Sequence, residues 1–115
     1  MKDFTGKLIK KGDVYWINFD PSIGSEIQKK RPAVVIQDHY VAQSSQTILV
    51  CPIISSKNVH PFDVFLFSDF LEKNSRARCI QIKTCDLSRF LEFQGHLDDE
   101  IMQKIFEKIF ILMGF

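Results

Sequence analysis

At 115 residues, with 45% hydrophobic and 25% charged residues, the chain has the size and balance of one folded domain spanning 1–115, and intrinsic disorder is excluded. A net charge of +1 excludes a broad electropositive field, so any grip on phosphate must come from local patches. Cys51, Cys79 and Cys85 are odd in number and lack C-x-x-C spacing, which argues against a zinc site and a disulfide framework and for buried free thiols. No apolar run is long enough to span a membrane and the first residues have no apolar signal region, so a cytoplasmic location without membrane contact is the expectation.

Residues 1–11 are polar and basic and read as a loose lead-in. Val14 to Phe19 is rich in aromatic and β-branched residues, as strands are. A long polar loop follows and ends at Lys29-Lys30-Arg31-Pro32, and Ala33 to Gln37 reads as a short strand buried on both faces. Asp38 to Gln46 is polar, with one irregular helical turn expected. Thr47 to Cys51 is a third strand stopped by Pro52, and Phe62 to Phe67 is a fourth, after a turn at His60-Pro61. Ser68 to Ser75 connects to a fifth strand, Ala77 to Lys83, and a short helix is expected over Asp86 to Phe93.

The end of the chain carries the clearest helix. Asp98 is placed to cap it, Leu97 and Met102 to form a hydrophobic staple, and Asp99 and Glu100 to oppose the positive end of its dipole. Ile101, Ile105, Ile109 and Leu112 recur at helical spacing, and Gly114 is a natural stop. Short strands and a terminal helix define a mainly β (α+β) fold: a small barrel or strongly bent sheet packed on that helix.

Loops longer than a hairpin requires are often functional, and the one between the first two strands carries cations at its base and Glu26 in its middle, an arrangement suited to a phosphate-bearing ligand. The ordered block Gly12-Asp13, Trp16, Phe19-Asp20-Pro21, Gly24-Ser25-Glu26 and Arg31-Pro32-Ala33-Val34-Val35 resembles the MazF/PemK/Kid family of bacterial toxins, the endoribonuclease half of toxin–antitoxin pairs. Weaker matches continue at Val50-Cys51-Pro52, Pro61-Phe62-Asp63-Val64, Gln81-Ile82-Lys83-Thr84 and His96-Leu97-Asp98-Asp99-Glu100. The resemblance implies an SH3-like barrel of about five to seven strands, shared with the gyrase-poison toxins. It also implies a homodimer with single-stranded RNA across the subunit junction, and a small antitoxin partner whose flexible acidic tail covers the basic groove.

RNA can be cut without a metal or cofactor if a base takes the 2′-hydroxyl proton, an acid protonates the departing 5′-oxygen, and cations hold the charge on phosphorus. The resemblance implies this route, with 2′,3′-cyclic phosphate and 5′-hydroxyl ends. Arg31 matches the family's catalytic arginine, and its planar fork can bind two phosphate oxygens. Glu26 matches a loop carboxylate near the substrate, contacting a base edge or 2′-hydroxyl, assisting proton transfer, or tying down loop amides. Lys30 stands where some relatives have histidine and is assigned phosphate binding, because lysine at its normal pKa is a poor proton shuttle. The family's threonine after the Val-x-Pro strand end is Ile54 here, which has no hydroxyl; Ser55 substitutes if the strand end bends. Arg78 and Gln81 match the Kid/PemK segment Arg-Cys-Asp-Gln, whose aspartate is Ile80 here. Phe19, at the mouth of the loop, either stacks on a base or packs in the core. Trp16 is read as core, and His39, His60 and His96 as surface or capping residues. Arg31, Glu26 and Ser55 are thus the catalytic candidates, and Phe19, Lys30, Arg78 and Gln81 the substrate-binding ones. Ile54 and Ile80 keep two other readings open, a non-catalytic toxin like the gyrase poisons and a degenerate toxin that binds but cleaves poorly.

Overall fold

The computed structural model describes residues 1–38 and 46–115, so the turn expected after Asp38, and His39 with it, lies outside the described residues. Among the described residues seven strands and one α-helix follow in order: β1 (Asp13–Asn18), β2 (Lys30–Val35), β3 (Thr47–Ile54), β4 (Asp63–Phe65), β5 (Arg76–Arg78), β6 (Lys83–Asp86), β7 (Phe90–His96) and α1 (Asp99–Leu112). All pairs are antiparallel, in the order β4-β5-β3-β2-β1-β7, with β6 also on β3.

Both faces of the central strands are buried, because successive side chains of a strand point to opposite faces. Val14, Val34, Cys51 and Ile53 enter one apolar cluster, which α1 completes with Met102, Ile105 and Ile109. Tyr15, Ile17, Ala33, Val35, Ile48 and Val50 enter the other, with Ile9, Phe19, Cys85 and Phe90. All three cysteines are free and buried. The capping of α1 is as expected: Asp98 Oδ1 accepts from the Ile101 N–H at 2.9 Å, and Leu97 and Met102 are both buried. At its far end the Phe115 N–H bonds the Phe110 carbonyl and the Gly114 N–H bonds that of Ile111, with Gly114 at φ 85°, the left-handed stop that glycine permits.

Four expectations are corrected. The third strand is not stopped by Pro52: β3 runs through it to Ile54, with Pro52 opposite Ala33. The strand expected over Ala77 to Lys83 is two strands around a 3-10 turn, Cys79–Gln81. Both pair with β3, Ala77 opposite Ile53 and Lys83 opposite Val50. Along β3 that step is three residues and along its partner six, so the turn takes up the excess. The helix expected over Asp86 to Phe93 is a 3-10 turn, Leu87–Arg89, followed by β7. Asp86 does act as an N-cap, accepting from the Ser88 N–H at 2.9 Å, but Phe90 is buried 5.3 Å from the Tyr15 ring and the backbone continues as a partner of β1. The lead-in is not loose: Asp3 accepts from the N–H groups of Thr5 and Lys7 and, at 2.6 Å, from the buried Tyr15 hydroxyl.

Two buried carboxylates organise the polar interior. Asp13 takes Lys7 Nζ at 2.7 Å and His96 Nδ1 at 2.8 Å. Asp63, its side chain fully covered, meets Arg76 Nε at 3.1 Å and the Arg78 guanidinium through both oxygens, at 3.0 and 2.9 Å. Arg76 and Arg78 in turn donate to the carbonyls of Ser56 and Asn58, in the connection after β3, and Arg76 to that of Asn74, just before β5, which ties the two connections together. Burial alone would raise the Asp63 pKa, but hydrogen bonds from Arg78, the His60 N–H and Arg76 outweigh it and hold the carboxyl below its ordinary range.

Asp63→Ala leaves the Arg76 charge buried without its carboxylate, and urea denaturation is expected to show a loss of about 3–5 kcal/mol. A carboxylate with a depressed folded-state pKa stabilises the fold above its unfolded pKa and ceases to as pH falls through the folded value. The wild type is therefore expected to lose urea resistance below the ordinary aspartate value of 3.8. A midpoint unchanged between pH 5 and pH 2 would contradict the assignment.

Candidate functional site

Arg31 enters β2 one residue after Lys30, at the end of the long loop. Lys29, just before them, has φ 70°, a left-handed conformation uncommon outside glycine, so the chain turns sharply as it delivers the two cations. The Arg31 Nε donates to the Gln28 carbonyl at 2.9 Å, which fixes the stem; among the described residues its terminal nitrogens find no partner. Ala33 pairs with Pro52, and extending that register by two residues sets Arg31 opposite Ile54, the end of β3.

Lys30, Arg31 and Ser55 line one cleft of about 180 Å³, together with Trp16, Ile54, Glu72 and Gln94. Pockets that engulf a small molecule run about 300–1,000 Å³, so this cleft suits one group of a longer ligand lying across the surface. Ser55 is the first residue past β3, so no bulge is needed to bring it beside Arg31, and its hydroxyl donates to Glu72 Oε2 at 3.1 Å. Ile54, by contrast, is buried at 4% exposure. A larger hollow of about 780 Å³, lined by Lys2, Phe4, Leu87 and Phe90 among others, contains none of the candidate residues.

The other candidates lie elsewhere. Glu26 faces Lys83, with Oε2 and Nζ 3.7 Å apart and both side chains partly exposed, and it is absent from the Arg31 cleft. Phe19 is 1% exposed and belongs to the core, with the Lys83 ammonium 5.9 Å from its ring centroid; its ring faces are not open to a base, which corrects the stacking expectation. Arg78 is likewise committed, through its bidentate pairing with Asp63 and its bond to the Asn58 carbonyl, so its substrate-binding role gives way to a structural one. Gln81 is half-buried in the 3-10 turn beside exposed Ile80. Trp16 is only half-buried and lines the cleft, so the core reading is incomplete. His96 pairs with Asp13.

Glu72 and Gln94 were not singled out by sequence reasoning. Glu72 sits in a built turn: Leu71 N–H bonds the Ser68 carbonyl, Ser75 N–H bonds that of Glu72, and Phe70 rests on Gly95 of β7. A Cβ on Gly95 would lie 2.5 Å from the Phe70 ring, so this close approach of strand and ring requires glycine.

Basic groups at a strand end, a small cleft and a bent antiparallel sheet with a terminal helix define a compact β protein with a local cationic cleft. Residues 10–113 match the family model of the PemK-like, MazF-like toxins of type II toxin-antitoxin systems, and the chain belongs to that family. It is 32% identical over 111 residues to Endoribonuclease EndoA of Bacillus subtilis, covering 93% of this chain and 96% of that protein. It is also 32% identical over 104 residues to Endoribonuclease toxin MazF of Escherichia coli K12, covering 90% and 92%. Among solved structures, MazF from Deinococcus radiodurans superposes with a TM-score of 0.82 at 23% identity, over 92% of this chain and 96% of that one. A MazE-MazF structure from the same organism superposes at 0.76 and 23% identity, over 93% and 96%. The fold is therefore the MazF fold, and the homologues are endoribonucleases.

Gly95→Ala is expected to cost about 1–3 kcal/mol by driving the Phe70 ring from its seat. Adding Phe70→Leu should recover part of that loss in the same urea titration. Equal stability of wild type and Gly95→Ala would show that the ring moves freely.

Proposed function

We propose that this toxin cleaves single-stranded messenger RNA at short sequence motifs without a metal, leaving 2′,3′-cyclic phosphate and 5′-hydroxyl ends, and so arrests translation and growth in the cytoplasm. The observation that carries the reading is Arg31: its fork has unpartnered terminal nitrogens among the described residues and shares a cleft with Lys30 and Ser55. Such a fork can take two oxygens of one phosphate and hold the negative charge that builds on phosphorus. Lys30 adds a second positive charge, and Ser55, whose one hydroxyl proton goes to Glu72, is kept in the catalytic set by its place in the cleft at the β3 end. Glu26 and Gln81, outside this cleft, are assigned to the flanking nucleotides of an extended strand.

The acting form is a homodimer, and the partner in the resting cell is a cognate antitoxin with an acidic segment. Support for the dimer comes from the apolar groups left on the surface: Phe110, Ile111, Met113 and Phe115 at the end of α1, and Phe65 and Phe67 at the β4 edge, whose rings stack 6.5 Å apart. Monomers rarely leave so many large apolar side chains uncovered in contiguous groups. Support for the antitoxin comes from the family and from the MazE-MazF structure.

The test is incubation of the purified protein with a long RNA in EDTA, with the cut ends mapped. Cuts at one short motif with cyclic phosphate ends are expected, and Arg31→Ala should slow them about 10²–10³-fold while remaining folded. An unaffected Arg31→Ala would overturn the site. Ile54 favours one second reading, a degenerate toxin, because it leaves no hydroxyl at its position; Ile54→Thr should then cleave equally well or faster, and a large loss of rate would show that the strand end is built differently.

A further inference from the structure

We infer that Glu72 is the general base of the Arg31 cleft, taking the 2′-hydroxyl proton of the nucleotide that is cut. The inference rests on the proposed RNA cleavage. A general base must be an acceptor within reach of the phosphate site. Of the residues lining the cleft, Lys30 and Arg31 are donors only, while Trp16, Ser55 and Gln94 are neutral. Among the described residues Glu72 is the only carboxylate lining it, and an ionised carboxylate is acceptor-only. The two positions expected to supply such a group do not: Glu26 is held toward Lys83, and residue 80 is an exposed isoleucine.

Glu72 is also positioned rather than merely present. The Ser55 hydroxyl, on the opposite wall, donates to its Oε2 at 3.1 Å, which leaves Oε1 to accept a proton. Its backbone carbonyl accepts from the Ser75 N–H, and Phe70 two residues earlier is seated on Gly95, so the segment carrying the carboxylate is fixed to the sheet.

The step balances as follows. The Glu72 carboxylate takes the 2′-hydroxyl proton as the 2′-oxygen forms its bond to phosphorus. The bond from phosphorus to the 5′-oxygen breaks, its electron pair stays on that oxygen, and the oxygen takes a proton from a water molecule in the open cleft. The proton held by Glu72 then neutralises the hydroxide left behind. The products are a 2′,3′-cyclic phosphate and a 5′-hydroxyl, with no net change in protons and no oxidant or reductant.

The test compares wild type, Glu72→Gln, Glu72→Asp and Ser55→Ala on an oligoribonucleotide carrying the mapped cut motif. Single-turnover rates are read beside the affinity for the same oligonucleotide with a 2′-deoxy residue at the cut. Glu72→Gln keeps shape and hydrogen bonding but cannot take a proton, and its cleavage rate is expected to fall about 10²–10⁴-fold. Its affinity should be equal or tighter, because a negative charge has left a phosphate site. Glu72→Asp should recover part of the rate, and Ser55→Ala should lose less than Glu72→Gln. A Glu72→Gln rate within about threefold of wild type, or a rate loss matched by lost affinity, would overturn the inference while the proposed cleavage stands. A folded wild type that leaves the RNA intact would overturn both.

Discussion

Strand β3 has neither a free edge nor a free face, and the geometry of the molecule follows from that. One edge is paired with β2 and the other is shared in succession by β6 and β5. Its side chains fill the two apolar clusters in alternation, Ile48 and Val50 on one side, Cys51 and Ile53 on the other. A one-residue slip would send every one of these groups to the wrong face, so its register is strongly specified. The cleft inherits this precision, because its walls are the end of β3 and the start of β2.

Cations in this chain serve opposite purposes, and their partners tell them apart. Arg76 and Arg78 spend their donors on Asp63 and on carbonyls of the connections after β3 and before β5, and they are buried or half-buried. They hold shut a polar interior that would otherwise leave backbone carbonyls without donors. Arg31 spends one donor on the Gln28 carbonyl and, among the described residues, its terminal nitrogens have no partner. A buried charge with its partners in place is structure, whereas a tethered charge without them is poised for a ligand.

The legible parts of the sequence were those governed by local rules. Strands β1, β2 and β3 carry β-branched and aromatic runs, and α1 announces itself through Asp98, its staple and Gly114. The loop and its cations stood out by length and charge, and the resemblance gave them roles. What stayed hidden depends on distant partners. Arg78 looked like a ligand-binding group because Asp63 lies 15 residues away in the chain. Phe19 gave no local sign that it turns inward. Asp86 caps a turn as a helix start would, and only the pairing of β7 with β1 decides against the helix. Glu72 sits in a polar connection with no patterning of its own, and its place beside Ser55 is a tertiary fact.

The seat of Phe70 on Gly95 ties two positions that are far apart in the chain. No side chain fits at 95 while an aromatic ring occupies 70, and a smaller residue at 70 would open a void over the strand. The two positions should therefore vary together: proteins of this fold with alanine or serine at the β7 position should carry a smaller side chain in the connection, and those with an aromatic ring there should keep glycine. Such a pairing would appear in an alignment as a coupled exchange between residues that share no backbone ladder, one of which, Phe70, also lines the Arg31 cleft.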